Sequence, residues 1–250
     1  MPRFTQDDTM ETQQTFTGHF GFSATRIEHL GAAEYTLVSI AVDRSGSTES
    51  FRGEMIKTMK EIVKSCAHSP RSNNLLLRVT TFSDDLEEFH GFKPLSACKL
   101  EDYNTLFIGA GSMTALYDAT RDAGESLLTY GEKLYRADFS INGILFVITD
   151  GLENASKYRF IDDVKQAIRL PVTKETLESL TTILIGVNIT SPEVSAALNK
   201  FQTGANFTQY VEIGNATKSA LAKLAQFVSR SISSQSQSLG TGGPSAPLTF

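Results

Sequence analysis

The chain has 250 residues, 40% of them hydrophobic and 20% charged, with a formal net charge of −5. That length fits one large domain or two small ones, and the composition excludes a wholly disordered, collagen-like or coiled-coil chain. Mild acidity without any tight Lys/Arg cluster argues against a broad nucleic-acid surface.

Residues 1–15 are polar and read as a disordered tail. Residues 16–32 read as an N-terminal extension with no functional account. Residues 33–230 read as the folded domain, and residues 231–250, rich in Ser, Gly, Gln and Pro without a charge, as a flexible tail. Within the domain, Thr36–Val42 is a run of buried-strand character. Thr48–His68 follows, with Phe51, Met55, Ile56, Met59, Ile62, Val63 and Cys66 on one helical stripe. Leu75–Phe82 is a second strand. A weaker strand, Leu86–Phe92, is joined to it by Ser83-Asp84-Asp85 in the manner of an antiparallel hairpin. Thr114–Tyr130 reads as a helix, Ile144–Thr149 as a strand, and Phe160–Leu170 as a helix stopped by Pro171. Thr181–Val187 is a fourth buried strand. Ser191-Pro192-Glu193 reads as a helix start, Phe207–Ile213 as a weak strand and Ala216–Ile232 as the closing helix. Alternating strands and helices predict an α/β fold, a mostly parallel sheet with helices on both faces.

Two cysteines, Cys66 and Cys98, make neither a disulfide scaffold nor a Cys-rich zinc site. His19, His29, His68 and His90 have no metal-ligand spacing and read as ordinary surface or partly buried residues. Met1–Gln14 lacks the apolar core of a secretory leader, and no apolar run is long enough to span a membrane. The expected setting is therefore reduced and cytoplasmic.

In such folds the site lies at the carboxyl ends of the strands. The first strand ends in Asp43-Arg-Ser45-Gly-Ser47, whose alternating oxygen side chains can converge on one hard cation. Thr114 opens the second major helix, and Asp150-Gly ends the Ile144 strand. Carboxylates and hydroxyls without thiol or imidazole favour Mg²⁺, with Mn²⁺ or Ca²⁺ also suited. Ser and Asp are equally common helix N-caps, which is the plain alternative for this loop.

The strand-Asp43-x-Ser45-x-Ser47 pattern, the distant Thr114 and the strand-terminal Asp150 together resemble a von Willebrand factor type A (vWA) domain with a metal-ion-dependent adhesion site (MIDAS), over roughly residues 33–229. The resemblance implies a doubly wound, three-layer, Rossmann-like fold with a mostly parallel six-stranded sheet and one antiparallel edge strand. It implies direct metal contacts from Ser45, Ser47 and Thr114, with Asp43 and Asp150 binding directly or through water. It also implies a protein partner whose Glu or Asp completes the shell, in an intracellular chain often an AAA+ ATPase of the MoxR type. The expected function is metal-dependent protein binding without catalysis. The enzyme alternative is a metal-dependent phosphoesterase; the second Asp that haloacid-dehalogenase-like enzymes need two residues on is here Ser45. A third possibility is a metal that only staples loops.

Glu153 and Asn154 read as a solvated loop or site rim. Arg44 reads as a surface residue or a partner contact. Asp84, Asp85, Glu87 and Glu88 read as charges protecting an edge strand. Leu248-Thr-Phe250 ends the chain as a plain extension or a docking peptide.

Overall fold

The computed structural model describes residues 8–158, 160–241, 243 and 245–250. Its strands are β1 (Met10–Gln14), β2 (Gly21–Thr25), β3 (Glu34–Asp43), β4 (Leu75–Phe82), β5 (Leu86–Pro94), β6 (Ser140–Thr149), β7 (Leu180–Val187) and β8 (Gln209–Ile213). The helices are α1 (Arg52–Ala67), α2 (Leu116–Tyr135), α3 (Ile161–Thr173), α4 (Pro192–Ala205) and α5 (Lys218–Gln237). One eight-stranded sheet runs in the order β1-β2-β5-β4-β3-β6-β7-β8. From β4 through β3, β6 and β7 to β8 every pairing is parallel, and β5 is antiparallel to β4. These six strands are the sheet the sequence predicts.

The count rises to eight because the N-terminal segment adds a hairpin. β1 and β2 pair antiparallel, and β2 meets β5 in parallel at Ala24 and Phe92. Residues 10–14, expected to be disordered, therefore form a strand, whereas residues 1–7 of that expected tail lie outside the described residues. Local polarity misleads here because the stabilisation is tertiary. Phe22 and Ala24 are buried, and the Tyr130 hydroxyl donates to the Thr25 carbonyl at 2.7 Å.

α1 and α5 cover one face of the sheet, where Ile40, Val79, Phe146 and Ile185 meet Met59, Leu224 and Val228. α2, α3 and α4 cover the other, where Leu37, Leu145 and Leu184 meet Leu127, Ile168 and Leu198. Burial on both faces explains why the central strands read as continuous apolar runs rather than alternating ones.

Several boundaries move, two of them with a clear physical cause. α3 does not stop before Pro171 but carries it in its last turn. The Pro171 carbonyl there collects the N–H groups of Thr176 and Leu177 and the hydroxyl of Thr176. α5 runs on to Gln237, into the segment expected to be flexible. Gln235 is buried and its amide is satisfied: Nε2 donates to Ser179, and Oε1 accepts from Thr181 and Ser245. Beyond it, Leu248 packs on the core and Phe250 stacks edge-on against Phe227 at 5.7 Å. A Ser/Gln-rich sequence orders here because its side-chain amides and hydroxyls bond across the sheet rather than to water.

Candidate metal centre

Strand order reverses between β3 and β6. From β3 the chain moves outward through β4 and β5, then returns to β6 on the other side of β3. Such a reversal opens a crevice at the carboxyl ends of two adjacent strands. Val42 lies beside Ile148 in the register, so Asp43 leaves β3 next to the Thr149-Asp150 end of β6.

Asp43 is 3% exposed. Its Oδ1 accepts the Ser45 N–H at 2.8 Å and its Oδ2 accepts the Thr149 hydroxyl at 2.7 Å. The Ser45 and Ser47 hydroxyls are 3.0 Å apart, and Ser47 donates to Asp150 Oδ1 at 2.8 Å. Three of the five sequence-predicted residues, Ser45, Ser47 and Asp150, thus form a linked chain of oxygens, with Asp43 tied to it through the Ser45 N–H. The capping alternative fails: neither the short 3₁₀ turn at Gly46–Phe51 nor α1 receives a side-chain cap from this loop. The loop is instead pinned at the Ser45 carbonyl, which accepts from Thr48 Oγ1 at 2.7 Å and from Arg52 Nη2 at 3.0 Å.

Thr114 comes from a separate loop, before α2. Its N–H donates to Asn154 Oδ1 at 2.7 Å, and its carbonyl accepts the N–H groups of Asn154 and Ala155. A Cβ built on Gly151 would lie 3.5 Å from Thr114 Oγ1, so this hydroxyl stands against the residue that follows Asp150. Among the described residues Thr114 Oγ1 has no hydrogen-bond partner within the protein.

Several residues that hold this arrangement were not singled out from sequence, or were given another role. Asp84 accepts the N–H groups of Ser112 and Met113, clamping the loop that carries Thr114. Gly111 permits that approach, since a Cβ there would sit 2.6 Å from Ser83 Oγ and 2.8 Å from Asp84 Oδ2. Glu153 accepts the N–H groups of Tyr117, Ala155 and Ser156, and Asp118 accepts those of Lys157 and Tyr158. Glu153 is therefore a partly buried brace, whereas Asn154 is exposed at the site rim and ties the Thr114 loop from there. Arg44 is not a surface residue but is 3% exposed. It reaches the Ile108 and Gly109 carbonyls, Asp85 at 2.7 Å and Glu87 at 3.1 Å. The acidic run is also engaged by partners within the chain: Asp84 and Asp85 remain exposed, whereas Glu88 is buried against Arg78. Two acids in a hairpin turn, opposite an Arg beside a motif Asp, were the available signal.

Burial raises the Asp43 carboxyl above its usual range, against the hydrogen bonds from Thr149 and Ser45. Burial, then the charge of Asp43, pushes Asp150 up to about 6. Two crowded, desolvated carboxylates are what a dication relieves. The donor set also fits. It is oxygen only, and no group of three or more His, Cys, Asp and Glu among the described residues is placed to hold a metal, so a cation here would depend on the hydroxyls. Neighbouring oxygens around octahedral Mg²⁺, with bonds of about 2.0–2.1 Å, lie about 2.9 Å apart. The Ser45–Ser47 and Ser47–Asp150 separations bracket that value.

No protein-family model matches the chain, and no curated protein matches it. Solved structures do. The PilB minor pilin of Streptococcus sanguinis, as its D319A mutant, superposes with a TM-score of 0.58 at 14% identity, over 89% of this chain and 66% of that one. The vWF domain of the type V pili tip protein Mfa5 from Porphyromonas gingivalis gives 0.52 at 9% identity, over 81% of this chain and 97% of that one. The fold is that of a vWA domain. Proximal thread matrix protein 1 from the mussel byssus, described with a zinc-occupied MIDAS motif, gives 0.51 at 15% identity, over 80% of this chain and 46% of that one. The chain thus spans about two thirds of the PilB structure and less than half of the byssus protein. No helix among its described residues is long and apolar enough to cross a membrane.

Proposed function

We propose that the chain is a metal-dependent, non-catalytic protein-binding module. Asp43, Ser45, Ser47, Thr114 and Asp150 would hold one divalent cation, Mg²⁺ by donor hardness, and a Glu or Asp of a protein partner would complete the shell. The observation that carries the reading is the linked oxygen chain Ser45–Ser47–Asp150 beside buried Asp43, at the reversal of strand order. When bound, the cation supplies a focused positive charge that attracts a carboxylate.

The chain's own residues do the rest. Asp43, bonded through both oxygens, is fixed in orientation by the sheet. Ser47 is exposed and presents its hydroxyl at the surface. Two carboxylates only balance a dication, so an anionic side chain from outside remains attracted. Exposed Met113, adjacent to Thr114 in the chain, offers an apolar contact beside the charged focus. Free thiols at Cys66 and Cys98 suit a reducing, cytoplasmic setting, where the resemblance offers a MoxR-type AAA+ ATPase as the partner class.

Affinity capture from native lysate with Mg²⁺ or with chelator, for the wild type and Asp43→Ala, tests the reading. Capture that requires both Mg²⁺ and Asp43 is the expected result. Capture that survives chelator and substitution overturns it. So does turnover of an aryl phosphate that is abolished by Asp43→Asn, which would establish an enzyme.

A further inference from the structure

The N-terminal hairpin, β4, β5 and α2 enclose a cavity of about 390 Å³, within the size range of small-molecule sites. Phe20 and Phe22 wall it from the hairpin, Arg78 and Thr80 from β4, Glu88 from β5 and Asp122 from α2. Thr12 and His19, which also line it, are exposed and mark its mouth.

Its floor is charged and buried. The Arg78, Glu88 and Asp122 side chains are 1%, 5% and 3% exposed. Arg78 Nε donates to Glu88 at 3.0 Å, and Nη1 donates to Asp122 Oδ2 at 2.9 Å and to Ser126 at 3.2 Å. One guanidinium thus serves two carboxylates, which leaves an excess negative charge in a poorly solvated place. Neighbouring Arg121 supplies no free cation, because it is paired to Glu125 at 2.7 Å.

The two carboxylates differ. Glu88 also accepts the Ser23 N–H and, at 2.6 Å, the Ser23 hydroxyl. Among the described residues Asp122 is bonded through Oδ2 alone. Burial raises its carboxyl, and Arg78 works against that rise. A second polar group is also unused: Thr80, 2% exposed, has no partner for Oγ1. A purely structural ion triad accounts for the Arg78–Glu88–Ser23 links. It does not account for a cavity beside them lined by a buried hydroxyl without a partner and a half-bonded carboxylate, which is a costly arrangement when left dry.

We propose that this cavity binds a small organic ammonium ion, its N–H groups donating to Asp122 Oδ1 and Thr80 Oγ1 and its carbon body lying against Phe20 and Phe22. The charge selects a cation over an anion, and the aromatic walls favour one with an apolar body. The site is separate from the metal centre and does not rest on the proposed function.

The test is a titration of the ¹⁵N-labelled full chain with 2-phenylethylammonium, followed by amide shifts. 2-Phenylethanol and 3-phenylpropionate serve as uncharged and anionic counterparts. Saturable shifts at Gly21, Phe22 and Asp122 with the ammonium alone are expected, unchanged by chelator or by Asp43→Ala. Asp122→Asn should weaken binding about tenfold or more. Because that change also loosens Arg78, Leu86→Phe is the second variant; Leu86 lines the cavity and is only partly buried. Narrowing the space should weaken the shifts without lowering the melting temperature. Absence of saturable shifts, equal binding of the alcohol or the anion, or full binding by Leu86→Phe would each overturn the proposal.

Discussion

Asn154 and Thr114 are tied twice: the Asn154 side-chain oxygen accepts the Thr114 N–H at 2.7 Å, and the Asn154 N–H donates to the Thr114 carbonyl at 3.0 Å. The first tie depends on the side chain and the second does not. Asn154→Ala should therefore leave the loop near its place but less sharply oriented. Expected are a loss of about tenfold in Mn²⁺ affinity by calorimetric titration and a loss of about 1 kcal/mol in stability. Unchanged Mn²⁺ affinity would show that the side-chain tie does not orient Thr114 for the cation.

Arg44→Lys should cost about 1–2 kcal/mol in urea unfolding, because an ammonium cannot span two carbonyls and two carboxylates as the planar guanidinium does. Asp85 is 74% exposed, so the ion pair itself is screened. Most of the loss should come from the Ile108 and Gly109 carbonyls, and Asp85→Asn should cost under about 1 kcal/mol. Equal costs for the two variants would reverse that ranking.

Gly91 lies where β5 meets β2, and a Cβ there would fall 1.9 Å from the Ser23 carbonyl oxygen. Backbone cannot yield that distance locally. Gly91→Ala should lower stability by about 3 kcal/mol or more and speed amide exchange over residues 10–25, with β3 and β6 still protected. Uniform loss of protection would mean that the hairpin and the core unfold as one unit.

His90 provides a pH signature. It is 2% exposed; Nδ1 lies 3.0 Å from the Gly91 carbonyl and Nε2 lies 2.9 Å from the Tyr103 hydroxyl. The carbonyl can only accept, so Nδ1 carries the proton and Nε2 accepts from Tyr103. Burial, with Lys93 and Arg78 nearby, pushes the imidazole down to about 3. The unfolded chain binds this proton near pH 6.5, so between 6.5 and about 3 the unfolded state holds more protons. The stabilising contribution is complete above 6.5 and declines as the medium is acidified, by at most about 1.4 kcal/mol per pH unit. His90→Gln should be less stable near neutrality yet show a shallower decline in urea midpoints between about pH 6 and about pH 4. An unaltered slope would assign the acid sensitivity to other groups.

The central sheet was legible because four strands are buried on both faces and so are written as apolar runs. Asp43, Ser45, Ser47, Thr114 and Asp150 were legible because their spacing and placement at strand ends survive in one dimension. The braces were not. Asp84, Glu153 and Asp118 bond to backbone amides distant in sequence, and acids in loops look alike whether they face water or a turn. The hairpin escaped for a related reason: β1 is polar, and its partner Gly21–Thr25 is short, so its order depends on Phe22 reaching a core built from residues far downstream. Arg78 did leave a trace, as the one charge inside the run Leu75–Phe82.

The sheet ends on each side in a strand of five residues. On the β8 side, Gln209 spends its side-chain amide on the Leu248 carbonyl. On the β1 side, Glu11 is drawn to Lys133. Long flat borders are the templates by which copies of a chain zip together. This sheet has eight strands but narrow, polar margins, so crowding many copies should favour dispersed molecules over edge-joined fibres.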